Sequence, residues 1–179
     1  MTKWNVVITI QEHFFRQAWQ CLKPLGVLAK TGFHNVLVMQ TEDTQKMLQQ
    51  LQKKLTADAV LQTAISRIMP VTHSFTFQSV EQFEIRARTV MQTLLPEVAN
   101  KTFHVRLHRR GFKGRLSTIE EEKFLDSYIL EQLEKSGSSC RITFDDPDVI
   151  IAVETVAQQA GISIWSREDR ERYPILKLD

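Results

Sequence analysis

Residues 102–137, TFHVRLHRRGFKGRLSTIEEEKFLDSYILEQLEKSG, decide how the second half of this chain folds. The stretch opens with strict alternation: Phe103, Val105 and Leu107 are apolar, and His104, Arg106 and His108 between them are basic. Successive side chains of a strand point to opposite faces, so the pattern predicts a strand with one apolar and one basic face. Further on, Ser117-x-x-Glu120 forms a capping box ahead of an apolar stripe of Phe124, Leu125, Ile129 and Leu133, and Gly137 follows Lys135. Those signals predict a helix with both ends marked. The glycine-punctuated loop between strand and helix is also where charge gathers. From Lys101 to Arg115 there are six Lys or Arg and two His, with no acidic residue between Glu97 and Glu120. The whole chain is only +2, so the remainder sums to about −4 and the basic segment is a local feature.

Toward the N-terminus, WNVVITI reads as a strand, and QEHFFRQAWQCLKPLG as a helix stopped by Pro24 and Gly26. VLAKTG and NVLVMQT form a hairpin about Thr31-Gly32. TEDTQKMLQQLQKKLTAD puts Met47, Leu48, Leu51 and Leu55 on one helical face, and AISRIMPVTHSFTF returns to β character. The order β-α-β-β-α-β is that of a ferredoxin-like domain, expected over residues 1–78. Residues 79–179 then begin with a helix capped by Ser79, SVEQFEIRARTVMQTLLPEVANK, which Pro96 ends or kinks. After the strand and helix quoted above come CRITFD, VIIAVETV and ISIWS as strands, and a charged tail ending YPILKLD.

Composition narrows the class. With 179 residues, 42% hydrophobic and 25% charged, the chain has an ordinary globular balance and room for one medium domain or two small ones. Its longest apolar runs, VLVM and VIIAV, fall far short of the roughly 20 residues of a membrane span. No signal-peptide pattern opens the sequence, and Cys21 and Cys140 are isolated, so a reduced, cytoplasmic protein without a structural metal is expected.

From about Val80 to Trp165 the chain resembles the THUMP domain of RNA-modifying proteins, through FHVRLHRRGFKG, the Ser-led helix, DDPDVIIAVE and AGISIW. It is most similar to the stand-alone group that includes the tRNA acetyltransferase adaptors. The resemblance implies a mixed α/β (α+β) fold, with a ferredoxin-like domain followed by a THUMP-like one. It also implies tRNA as partner, gripped at its acceptor or 3′ end, and a modifying enzyme such as an acetyltransferase acting in trans. Neither DNA nor a membrane is an expected partner, and no cofactor is expected.

The residues expected to meet RNA are Lys101, Arg106, His108, Arg109, Arg110, Gly111, Phe112, Lys113 and Arg115. Lys and Arg neutralise phosphates and release counterions. Gly111 and Gly114 let backbone approach a phosphate, Phe112 between them offers a ring for an unpaired base, and the helix start at Ser117 adds N–H groups. The plainer reading is a solvated charged face. His104 and His108 fit a partly exposed surface or a pairing with acidic neighbours, and Asp145, Asp146 and Asp148 fit a strand-end turn better than a metal site. Glu154 is expected to pair with Arg106 or Arg109. The sequence has no nucleophile elbow, phosphate loop or deaminase motif, so the chain is expected not to be an enzyme. The alternatives are a small RNA-processing hydrolase using His104, His108 and Glu154, and an interaction module for an acidic protein.

Overall fold

The computed structural model describes residues 3–178. They divide into two compact units: the chain up to Thr72 together with Arg172–Lys177, and His73–Glu171 with Leu178.

The first unit runs β1 (Val6–Ile10), α1 (Phe15–Leu22), β2 (Val27–Lys30), β3 (Val36–Gln40), α2 (Thr44–Ala57), α3 (Ala59–Ala64) and β4 (Ile65–Pro70). Its sheet has the order β2-β3-β1-β4 with every pair antiparallel, which is the ferredoxin-like arrangement. Two helices stand where one was expected, because Asp58 interrupts the segment with extended backbone. Its side chain then accepts from Val60 N at 2.9 Å and Leu61 N at 3.3 Å, capping α3. α2 starts likewise on Asp43, which accepts from Lys46 N, and buries Met47, Leu48, Leu51 and Leu55 as the periodicity predicts. The tail is not simply a charged extension. Tyr173, Ile175 and Leu176 are buried, and Arg67 Nε donates to Leu176 O at 3.0 Å.

The run from residue 64 to 77 is two strands rather than one. β4 belongs to the first sheet, while β5 (His73–Thr76) pairs with β9 (Gln159–Ser166) in the second. Between them come α4 (Val80–Val98), β6 (Thr102–His108), α5 (Thr118–Lys135), β7 (Arg141–Ile142) and β8 (Val149–Val156), and α6 (Arg167–Arg172) follows β9. The sheet order is β5-β9-β8-β6-β7, with β6 parallel to β7 and β8, and β9 antiparallel to β8 and β5. Phe103, Val105 and Leu107 of β6 share a core with Phe83, Ala87, Met91 and Leu94 of α4 and Leu125, Ile129 and Leu133 of α5. Pro96 is accommodated in the last turn of α4. α5 is capped by Ser117, whose Oγ accepts from Glu120 N, and closes at Gly137 with φ +78°. β7 keeps only two of the residues expected in a longer strand. Among the described residues no helix is long and apolar enough to cross a membrane.

Candidate nucleic-acid interface

β6 distributes the basic segment along its length. Lys101 precedes the strand and donates to Glu97 O at 2.9 Å, whereas Arg109 follows its far end. The seven residues of β6 lie between the two, and eight steps of strand set them about 26 Å apart, so Lys101 does not join the cluster around the loop. Arg106 is exposed. His104, expected on the same open basic face, is buried, its ring centroid 5.2 Å from that of Phe144.

The register sets the fate of the next residues. His108 lies opposite Glu154 across the parallel β6–β8 pair, and Arg106 opposite Ala152. The partner of Glu154 is therefore neither Arg106 nor Arg109. Arg110 Nη1 donates to its Oε2 at 2.6 Å, and His108 Nδ1 lies 3.6 Å from its Oε1. Glu154 is 0% exposed and the Arg110 side chain 14%. The backbone holds Arg110 as well: its N–H donates to Thr155 O at 3.1 Å and to Thr155 Oγ1 at 3.0 Å, and Ala157 N donates to its carbonyl at 2.8 Å. Arg110 thus anchors the loop instead of facing a ligand.

From this anchor the loop turns sharply. Gly111 has φ +103°, and a Cβ there would stand 3.0 Å from the Ala157 Cα. Phe112 follows with φ +52°. That left-handed turn sends its ring inward, 4.9 Å from the Phe77 ring, and leaves it buried. The Arg115 guanidinium sits 4.1 Å from its centroid. The expectation that Phe112 offers a ring to a base is therefore corrected: it plugs the core, and a cation covers it. Leu116, buried, completes the plug.

What remains facing outward is a basic collar at a helix start. A shallow cleft of about 410 Å³ is lined by Arg109, Gly114 and Arg115 and by the first turn of α5, Ser117 to Glu120. Arg109 Nη1 donates to Gly111 O at 2.6 Å, which steadies the side chain beside the cleft. Lys113, Gly114 and Arg115 are exposed. The first-turn N–H groups of Thr118 and Ile119 precede any intrahelical acceptor, so two cations and a helix N-terminus converge on one opening, a geometry suited to a phosphate. Glu120 at the rim opposes that field.

The acidic residues of α5 behave differently from one another, and sequence reading missed this. β7 is so short that β6 has no neighbouring strand beyond Phe103 on that side. Two carboxylates complete the edge instead: Asp126 Oδ1 accepts from Val105 N at 2.9 Å and Glu122 Oε1 from Leu107 N at 2.7 Å. Their i, i+4 spacing on α5, matching the i, i+2 spacing of the two donors, was the available signal. Burial pushes the Asp126 carboxyl up to about 7, with the Glu122 charge adding to the rise and the Val105 hydrogen bond opposing it. Glu121 is also raised to about 7, by burial and then by Glu84 and Glu120.

Asp146 and Asp148 hold the β7–β8 turn. Arg167 Nε lies 2.9 Å from Asp146 Oδ1 and Arg167 Nη1 3.2 Å from Asp148 Oδ1. Asp148 Oδ2 accepts from Thr102 N at 2.8 Å, and this hydrogen bond leads the effects that hold its carboxyl below the usual range. Among the described residues no group of three His, Cys, Asp or Glu is placed to hold a metal.

No family model and no curated protein matches the sequence. Solved structures do. PH1313 from Pyrococcus horikoshii is similar with a TM-score of 0.62 at 14% identity, over 92% of this chain and 55% of that one. A 4-thiouridine synthetase in complex with RNA and with bound ATP gives 0.53 at 13%, over 92% and 42%. TrmN from Thermus thermophilus gives 0.56 at 12%, over 90% and 44%. The chain spans about half the length of these proteins. At such identities the likeness is one of fold, and that fold is the one expected: a ferredoxin-like domain followed by a THUMP-like α/β domain.

Proposed function

We propose that this chain binds tRNA at its acceptor or 3′ end through the collar of Arg109, Lys113 and Arg115 around the α5 N-terminus. We further propose that it presents the RNA to a modifying enzyme, such as an acetyltransferase, and performs no chemistry itself. The observation that carries the reading is the cleft where Arg109 and Arg115 meet the first turn of α5. The comparison with a 4-thiouridine synthetase solved with RNA supports RNA as the ligand class. Lys113 and Arg115, exposed on the same loop, supply phosphate contacts whose strength falls with salt. An adaptor of this kind gains from holding RNA and enzyme together, because the bound RNA then reaches the enzyme at high effective concentration.

The catalytic alternative is less well supported. Glu154, its candidate base, is buried against Arg110 rather than open to a substrate. The test compares a minihelix carrying a single-stranded 3′ end with the same stem made blunt, at one salt concentration. Tighter binding of the tailed form is expected, and equal binding would overturn end recognition. Incubating the protein with tRNA together with acetyl-coenzyme A and ATP, or with S-adenosylmethionine, tests the other half. A new nucleoside formed without a second protein would overturn the adaptor role.

A further inference from the structure

A second cleft, of about 560 Å³, lies on the side of β6 turned away from Val105 and Leu107. It is lined by His104 and Arg106, by Phe144, Asp145 and Asp146 of the β7–β8 loop, and by Leu178. Phe144 is 73% exposed there. Its ring stands 5.2 Å from that of His104 at 46°, and His104 is itself buried, so the phenylalanine rests on a fixed neighbour while most of its surface faces outward. The loop that carries it is held in place. Thr143 Oγ1 donates to Asp145 O at 3.2 Å and accepts from Asp145 N at 3.3 Å, and Asp146 is gripped by Arg167. Arg106 and Asp145 are both exposed, and neither side chain has a hydrogen-bond or ion-pair partner among the described residues.

An aromatic ring presented on a rigid loop, a free cation and a free carboxylate together match the three parts of an unpaired nucleotide. We propose that this cleft receives a single-stranded nucleobase, whose ring stacks on Phe144 while Arg106 meets its phosphate and Asp145 accepts from an N–H on its edge. Such an edge donor is offered by the amino groups of adenine, cytosine and guanine and by the ring N–H of guanine and uracil. Arg106 stands three residues before Arg109, about 10 Å along the strand, and its even position turns it to the face of β6 away from α5. The inference rests on the RNA reading given under Proposed function, and it assigns base contact to Phe144 in place of Phe112.

The test uses the full chain and a minihelix with a four-nucleotide unpaired 3′ end, with 2-aminopurine at each unpaired position in turn. Binding to the unaltered protein is expected to quench one position by stacking. Phe144→Ala is expected to abolish that quenching and to weaken the tailed minihelix by about 5- to 100-fold, with the blunt stem unaffected. Phe144→Trp should keep both, and Arg106→Gln should weaken binding while the quenching at saturation persists. Because Phe144 is exposed, both aromatic variants are expected to fold, and circular dichroism checks this. If Phe144→Ala binds the tailed form as tightly as the unaltered chain, the base site is overturned while the RNA reading stands. If the unaltered chain binds neither RNA, the RNA reading fails and takes this inference with it.

Discussion

Arg110 and Glu154 form an ion pair at 2.6 Å in which the carboxylate is wholly removed from solvent, and this pair ties the basic loop to β8. A buried charge that loses its partner is left without compensation, which typically costs about 3–5 kcal/mol. Arg110→Ala is therefore expected to lower stability by about 3 kcal/mol. Adding Glu154→Gln should recover most of it. Urea denaturation of the single and double variants checks this, and a single variant as stable as the parent would show that the pair anchors nothing.

The loop's two inner glycines are predicted to differ. At Gly111 an added Cβ meets the Ala157 backbone at 3.0 Å with φ at +103°, whereas at Gly114 it meets open space with φ at +78°. Gly114→Ala should cost about 1 kcal/mol, from left-handed backbone alone. Gly111→Ala should cost more, about 2–3 kcal/mol, since backbone must also move. Thermal melts rank the two, and the reverse order would contradict this loop geometry.

Much of this arrangement was legible in the sequence, because alternation and helical spacing are dictated by what each face must bury. That is why the β-α-β-β-α-β order, the apolar face of β6 and the Ser117 cap were readable. What escaped depended on register and on turns. Glu154 finds Arg110 because His108, not Arg106, lies opposite it and the chain then curls back along β8. Phe112 turns inward through a positive φ that glycine neighbours suggested only for themselves. Acidic residues near a helix start are favoured by the dipole alone, so the acidic character of α5 did not mark Glu122 and Asp126 as completing an unpaired strand edge. The fourth β run is split between two sheets just after Pro70, the last residue of β4, a breaker that its β-prone composition overshadowed.

That edge predicts a pH dependence. Asp126 has a folded-state pKa of about 7 against an ordinary 3.8, so the folded protein binds its proton more tightly than the unfolded chain does. The stabilisation from that proton is full below about 3.8 and is lost as pH rises through about 7, at up to about 1.4 kcal/mol per pH unit. Asp126→Asn keeps an oxygen for the Val105 N–H but cannot titrate. Its stability relative to the parent is expected to rise between pH 4 and pH 7 and then level off. A constant difference across that window, in denaturant titrations at each pH, would contradict the assignment.

Arg109, Lys113 and Arg115 are proposed to bind RNA phosphate at the start of α5. The most direct measurement is the salt dependence of tRNA affinity for the parent and for the Arg109→Ala, Lys113→Ala, Arg115→Ala triple variant, with folding confirmed by circular dichroism. Each phosphate contact contributes about 0.7 to 0.9 to the slope of log affinity against log salt, so three lost contacts should flatten it by about 2–3. A folded triple variant with the parent's affinity and slope would contradict the account.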